Sequence, residues 1–284
     1  MRVAFATCAA MPGGWEDDRP AAAMLGAEFH RWDDPSTDWE SFDRVVIRST
    51  WDYTSRLGEF LAWCERIGER RLRNRPQLVA FNADKRYLRA LSAQTVPTTF
   101  LAGGDPLPEL VGEVVVKPNI SAGARDTGRF GPAAHAAARA LIARILASGR
   151  VALVQPYMAA VDERGEQAFV FVGGELSHVL NKRAVLARDE VAPVTDDELG
   201  VARAMLREDL VSAGEAQAAE RAFAQRVLAE VSERFGVPLY ARVDLVHGPA
   251  GEPLLLELEA IEPNLYLATS AGAARRFAQA VRAD

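Results

Sequence analysis

Two short charged segments near the C-terminus constrain this chain more than any other feature. Residues 240–246 read YARVDLV and residues 254–260 read LLLELEA. Both alternate apolar and charged residues, the period of a half-buried strand, and GPAG at 248–251 reads as a turn between them. An even-numbered loop centred on Ala250 and Gly251 places Asp244 opposite Glu257 and Arg242 opposite Glu259. Strand side chains repeat with period 2, so these charges share one face while Val243, Leu256 and Leu258 fill the other. Three carboxylates against one guanidinium on a half-buried face repel one another unless something neutralises the excess. A hard divalent cation such as Mg²⁺ does so, because it takes one or two carboxylates together with phosphate oxygens and water. A solvated acidic face on an edge hairpin is the other reading these residues allow.

The lysines weigh towards a site. Of 33 basic residues only Lys85, Lys117 and Lys182 are lysines. A chain so biased towards Arg keeps Lys mainly where a compact ammonium differs chemically from a planar guanidinium. Lys85 follows Asn82 and Asp84 at a helix start, Lys117 ends an apolar run before Pro118, and Lys182 ends a strand that follows the Gly173–Gly174 hairpin turn. Chance survival on an arginine-rich surface explains their scarcity better than their placement.

The chain of 284 residues has room for two or three subdomains, and 49% hydrophobic with 25% charged residues is ordinary for a globular protein. A net charge of −6, with no basic block, argues against nucleic-acid or membrane-surface partners. No apolar run is long enough to span a bilayer. The opening RVAFAT is too short for a secretory signal and reads as a buried strand, so the expected location is cytoplasmic. Cys8 and Cys64 with four scattered histidines offer no metal-ligand spacing.

Along the first 80 residues, strands at 2–7 and 43–49 alternate with helices at 20–26 and 57–71, which predicts a parallel sheet. The segment RSTWDY at 48–53 leaves the carboxyl end of the second strand, where open parallel sheets bind ligands. Packing of Trp51 and Tyr53 within a loop is the alternative. Next come a strand at 113–117, the Gly- and hydroxyl-rich loop 119–129, and an Ala-rich helix at 132–146. That loop can aim N–H groups and guanidinium donors at phosphate, although it is not a P-loop and serves equally as a polar surface loop. The strand 151–154 is interrupted at Gln155 by Pro156, leaving backbone groups free, as an ordinary strand-end turn also would. A hairpin covers 166–182, and the pattern lapses over 184–193 into an expected mobile loop. Capping boxes begin at Thr195 and at Ser212, the second opening a helix whose Phe223, Val227, Val231 and Phe235 form a core face. A last helix follows Thr269.

In order, these features are a lysine, a strand ending in lysine, a Gly-rich loop, a helix, a kinked strand, and an Asp followed by Glu-x-Glu. The succession resembles the ATP-grasp superfamily from Lys85 through Leu267. Within it, the likeness is to cyclo-ligases of D-cycloserine biosynthesis acting on O-ureido-D-serine. It is carried by RSTWDY at 48–53, QPY at 155–157, SH at 177–178 and ELEAIEP at 257–263. The resemblance implies an α/β and α+β ATP-grasp fold with an N-terminal pre-ATP-grasp α/β domain over 1–80. A small flap-bearing subdomain over 81–154 and a C-terminal subdomain with the Mg-binding hairpin over 155–284 complete it.

The roles it implies follow by position. ATP and Mg²⁺ are the expected cofactors, with Lys85 and Lys117 on the ATP phosphates. A flap over 121–128 closes on the phosphates through Ser121, Gly123, Arg125 and Thr127. Backbone at Gln155, Tyr157 and Met158 reads the adenine, with Asp162 or Glu163 near the ribose. Asp244, Glu257 and Glu259 hold Mg²⁺, and Arg242 and Lys182 are catalytic. Many relatives carry Asn where this chain has Glu259, and a further phosphate-binding Arg after Lys182 that is missing here. The pocket for a small amino-acid-like substrate has Arg48, Ser49, Thr50, Asp52 and Tyr53 on one side and Glu262 with Asn264 on the other. Arg48 would take a carboxylate and an acidic group an ammonium. Phosphorylation of a carboxylate by ATP gives an acyl phosphate that an amine attacks, so the implied activity is carboxylate–amine ligation, inter- or intramolecular. A kinase acting on a hydroxyl and a non-catalytic nucleotide-binding module are the alternatives. Self-association is left open.

Overall fold

The computed structural model of the chain describes residues 1–186, 205, 207 and 209–283. Three sheets form it.

In the N-terminal unit, β1 (Val3–Thr7) and β3 (Arg44–Ser49) are almost wholly buried, as parallel strands covered on both faces must be. α1 (Arg19–Leu25) begins with a proline in its first turn and stops at Gly26, whose φ of 63° provides a left-handed cap. α2 (Leu57–Ile67) buries Phe60, Trp63, Cys64 and Ile67, the spacing of one helical face, and ends at Gly68 rather than running to 71. Two strands too short to show a period, β2 (Glu28–Arg31) and β4 (Leu72–Arg73), edge the sheet in the order β2-β1-β3-β4, all parallel.

The small sheet is antiparallel. β5 (Thr99–Leu101), β6 (Val114–Pro118), β7 (Gly128–Phe130) and β8 (Ala152–Pro156) lie in the order β5-β8-β6-β7. Leu101, Val116 and Phe130 pack against Leu141, Ile142 and Ile145 of α4 (His135–Ala147), giving this sheet a core of its own. Contrary to expectation, β8 does not break at Gln155 but pairs through Pro156 with Val114. The β5 ladder ends at Val154, so Pro156 occupies a local edge where a missing donor is tolerated.

The large sheet holds β9 (Glu166–Val172), β10 (Glu175–Lys182), β11 (Val211–Ala213), β12 (Tyr240–His247) and β13 (Pro253–Glu259), in the order β11-β10-β9-β12-β13. A short helix α5 (Ala160–Arg164) leads into it, and α6 (Ala218–Phe235) covers one face with Phe223, Val227 and Val231. The capping box of α6 is Gln217 with Glu220, not Ser212 with Glu215, because Ser212 is a strand residue paired with Asn181. The box expected at Thr195, and most of the loop expected at 184–193, lie outside the described residues. α3 (Pro76–Asn82) and a 3₁₀ turn at Lys85–Ala90 place Leu78, Tyr87 and Leu88 in the core of the large sheet, although sequence order grouped 81–98 with the flap-bearing part.

The N-terminal unit and the large sheet share an apolar core: Phe5 and Val46 meet Val170, Tyr240 and, from α7 (Ala273–Ala283), Phe277. Polar groups fasten the same junction. Asn74 Nδ2 donates to the Tyr240 and Ala260 carbonyls, both at 2.8 Å, and its Oδ1 accepts from Leu239 N at 2.7 Å. The Tyr240 hydroxyl lies 2.7 Å from the carbonyls of both Ile47 and Ile261.

Candidate active site

β12 and β13 pair as the alternation predicts, Arg242 opposite Glu259 and Asp244 opposite Glu257. The turn differs. His247 pairs with Pro253, so the loop has an odd number of residues, and a register shift beyond Asp244 restores the expected pairing. This bulge, which adds one residue to β13, turns Leu256 out of the core. Val243 and Leu258 are buried in the main core, whereas Leu256 packs with Val96, Val161 and Val246 and lines the cavity beside the charges. One face of the hairpin is therefore ionic at one end and apolar at the other.

The outer edge of β13 is held by side chains and by the backbone at 94–96 rather than by a full strand. Tyr87 Oη donates to the Leu258 carbonyl and accepts from Leu258 N, both at 2.8 Å. Asn82 bridges the Leu258 carbonyl and Ala260 N at 2.8 Å each, and Val96 N donates to the Leu255 carbonyl at 3.0 Å. Pairing an edge in this way blocks its association with other strands and also fixes where Glu257 and Glu259 point.

The three lysines converge on these carboxylates. Lys182 Nζ lies 2.7 Å from Asp244 and 3.0 Å from Glu166, and Lys117 Nζ lies 2.6 Å from Glu257. Lys85 donates to the Ser121 carbonyl at 2.9 Å and stands 3.9 Å from Glu257. Arg242 grips Asp244 with two nitrogens at 2.8 and 2.9 Å and also contacts Glu259 and the Asn264 carbonyl. Burial opposes ionisation of Asp244 and Glu257. Arg242 and Lys182 nonetheless hold the first below the usual carboxylate range, and Lys117 and Lys85 bring the second to about 2. At Glu259 burial outweighs Arg242 and the carboxyl is raised. For Lys182, Asp244 and Glu166 overcome burial and raise the ammonium.

This geometry corrects one step of the sequence argument. The excess negative charge that seemed to demand a cation is matched by lysines, and among the described residues no three carboxylate, His or Cys groups form a metal cluster. What remains is the donor set. Glu257 and Glu259, two residues apart on one strand face with side chains 21% and 32% exposed to the cavity, fit a hard cation that keeps waters and phosphate oxygens. Asp244 is 2% exposed with both oxygens engaged, so it would join only if Lys182 or Arg242 released one.

The cavity has a volume of about 270 Å³ and runs between the small and large sheets to the N-terminal unit. It brings together Lys85, Lys117, Ser121, Gly123, Thr127, Gln155, Tyr157, Met158, Lys182 and Arg242. Asp244, Glu257, Glu259, Tyr53, Glu262 and Asn264 complete that set. Gly123, Ala124 and Asp126 have φ of 60°, 57° and 53°, so the loop over the ionic end contains two non-glycine residues in the left-handed region.

Several expected residues stand elsewhere. Arg125 and Glu163 are not on the cavity wall. Asp162 faces Arg129, accepting from both of its terminal nitrogens at 2.7 Å, and accepts from the Tyr157 hydroxyl at 2.6 Å, so it braces Tyr157. Of the backbone groups expected to read the adenine, Tyr157 N is bonded to the Glu113 carbonyl at 2.8 Å; the side chain of Gln155 donates to Thr98 Oγ1 at 2.8 Å.

The substrate wall changes most. Arg48 is 2% exposed, paired with Asp18 at 2.8 Å, bonded to the Pro263 carbonyl at 2.8 Å and stacked over Tyr240. Ser49 bonds Asp18 and Trp15 N, Thr50 is fully buried, and Asp52 is held by Trp32 and Arg56. None of these four lines the cavity. Trp15, Trp51 and Tyr266 do, with the two tryptophan rings 5.2 Å apart. Trp15 and Tyr266, isolated aromatics in loops, gave no signal in the sequence.

Comparison with known proteins agrees with this architecture. Residues 3–74 match the N-terminal domain of D-cycloserine synthetase DcsG. Over 275 residues the chain is 37% identical to the cycloserine biosynthesis protein DcsG of Streptomyces lavendulae, covering 90% of this chain and 88% of that protein. The crystal structure of D-cycloserine synthetase DcsG superposes with a TM-score of 0.84 at 34% identity, covering 99% of this chain and 98% of that one. More distant structures share the fold. The ATP complex of D-alanine–D-alanine ligase from Bacillus anthracis has a TM-score of 0.65 at 12% identity, over 99% of this chain and 94% of that one. A RimK domain ATP-grasp protein from Sphaerobacter thermophilus DSM 20745 has 0.64 at 17% identity, over 99% of this chain and all of that one. With its fold and a third of its residues in common with DcsG along nearly its whole length, the chain belongs to the DcsG family of ATP-grasp ligases.

Proposed function

We propose that the chain activates the carboxylate of a small amino-acid-like substrate with ATP, as an acyl phosphate, and closes a C–N bond with a nitrogen of the same molecule. The observation that carries this is the mixed lining of one cavity. Three lysines, Arg242, Glu257 and Glu259 share its wall with Trp15, Trp51, Tyr53 and Glu262. Phosphoryl transfer needs alignment and charge neutralisation more than covalent participation by protein, and the cationic side chains support both. Val246, Leu256 and Met158 give the apolar wall a purine needs. Lys85 and Lys117 would meet the phosphates, leaving Glu257 free to turn towards Mg²⁺. That ion, held by Glu257 and Glu259, would neutralise phosphate charge. Arg242, fixed by Asp244, would face the reacting carbonyl and stabilise its developing oxyanion. The nitrogen then bonds to the acyl carbon and loses its proton, the bridging C–O bond breaks, and inorganic phosphate leaves. From the likeness to DcsG, the ring would close on O-ureido-D-serine through the oxygen-bound nitrogen of the ureido group. Cycloserine forms when the bond from that nitrogen to the carbamoyl carbon breaks, the carbamoyl group leaving as isocyanic acid while its N–H proton passes to the ring nitrogen.

The test is ADP release with O-ureido-D-serine in the presence and absence of hydroxylamine. An acyl phosphate gives a hydroxamate, whereas a phosphorylated hydroxyl does not. Glu257→Gln should cut ADP release by more than 100-fold with the fold intact by circular dichroism. Release within a few-fold of wild type, or ADP without hydroxamate, would remove the reading.

A further inference from the structure

Among the described residues, every charged side chain on the cavity wall has an ionic partner except Glu262. Its carboxylate makes no hydrogen bond or ion pair to any other residue, yet it is largely enclosed. Its backbone is fixed from behind, because the next residue, Pro263, accepts from buried Arg48 at 2.8 Å. Trp15, Trp51, Tyr53 and Tyr266 line the same cavity, and burial followed by the charge of Glu262 raises the Tyr53 phenol well above its usual range. A carboxylate in such surroundings costs free energy unless a positive group meets it. One oxygen pair among aromatic rings does not suit a hard metal ion, which demands several oxygens. It does suit an organic ammonium, which aromatic faces also attract.

We propose that Glu262 binds the α-ammonium of the amino-acid substrate, with the Trp15–Trp51 pair forming the wall of that subsite. The inference rests on the carboxylate-activating reading of the cavity and adds which end of the substrate lies where. With the ammonium at Glu262, the α-carboxylate one carbon away is directed to Arg242 and the lysines. Burial, then the neighbouring Glu259, raises the Glu262 carboxyl to about 8 despite the more distant charges of Lys85 and Arg48, so with no cation paired to it the group is largely neutral at pH 7. An arriving ammonium restores its charge.

The probes are D-cycloserine and isoxazolidin-3-one, the same ring without the amino group, titrated calorimetrically at a pH where the amine is protonated. The wild type should bind D-cycloserine at least 10-fold more tightly than the deaminated ring. Glu262→Gln should lose most of that preference while its Kd for an ATP analogue stays within about twofold. If Glu262→Gln does not fold, Glu262→Asp should weaken D-cycloserine several-fold and leave isoxazolidin-3-one unchanged. Equal binding of both rings by the wild type, or a preference that survives in Glu262→Gln, would overturn the proposal. Failure of the ligase reading appears separately, as missing hydroxamate in an enzyme that still prefers the ammonium.

Discussion

Replacing Arg48 tests whether it holds the substrate or holds the protein. Its guanidinium and the Asp18 carboxylate are each 2% exposed and 2.8 Å apart. Removing one partner of a buried pair strands the other charge, at a cost of about 3–5 kcal/mol. At about 2.1 cal/mol/K per residue, unfolding 284 residues carries an entropy near 0.6 kcal/mol/K. Arg48→Met should therefore lower Tm by roughly 5–8 °C at pH 7. The sign with pH follows from Asp18. Burial raises its carboxyl even with Arg48 present, and removing Arg48 raises it further. The variant's folded state then holds a proton that the unfolded chain has lost, so its deficit grows as pH rises above the unfolded carboxylate pKa and shrinks towards pH 4–5. Asp18→Asn in the same chain should recover most of the loss. The assay is differential scanning fluorimetry from pH 5 to 8 on both variants. A variant as stable as wild type whose KM rises only for the amino-acid substrate would refute the burial argument and return Arg48 to the pocket.

Two further outcomes are expected. Glu262→Gln should melt with wild type near pH 4.5 and above it at pH 8, because the wild-type carboxyl, raised from 4.5 to about 8 by burial, loses stability as pH climbs through that window. Parallel melting curves of the two proteins from pH 5 to 9 would contradict this. Hydrogen exchange over 121–127 should slow at least several-fold on adding an ATP analogue with Mg²⁺, since Ser121, Ala122, Gly123, Ala124 and Thr127 line the cavity and the loop includes the left-handed Ala124 and Asp126. Unchanged exchange at saturating nucleotide would show that this loop does not close over the phosphates.

The hairpin charges were legible because alternation ties every residue of a strand to one face, and a one-residue error would have put Asp244 and Glu257 in the core. The bulge was not, since three consecutive leucines at 254–256 conceal which one leaves the face. The lysines were legible through contrast with an arginine-rich background. Arg48 misled because its position at the carboxyl end of a strand is that of a ligand-binding residue, while its actual partner, Asp18, lies 30 positions away in a stretch with no strand period. The Ser212 capping box failed for a related reason. Its residues satisfy the local pattern, but pairing with β10 claims the backbone first.

The unequal sharing of cores has a mechanical consequence. The N-terminal unit and the large sheet interlock through common apolar residues and through Asn74 and Tyr240, whereas the small sheet packs chiefly upon itself. Its ties to the rest include Lys117 to Glu257, Lys85 to the Ser121 carbonyl, and Asn119 to Asp84. The aromatic wall around Glu262 is drawn from the interlocked part alone, and the ties of the small sheet are polar ones that phosphate oxygens could replace. A displacement of the small sheet would therefore change the lysine-lined part of the cavity and leave that wall in place, so nucleotide binding and amino-acid binding would be tuned by separate sets of residues.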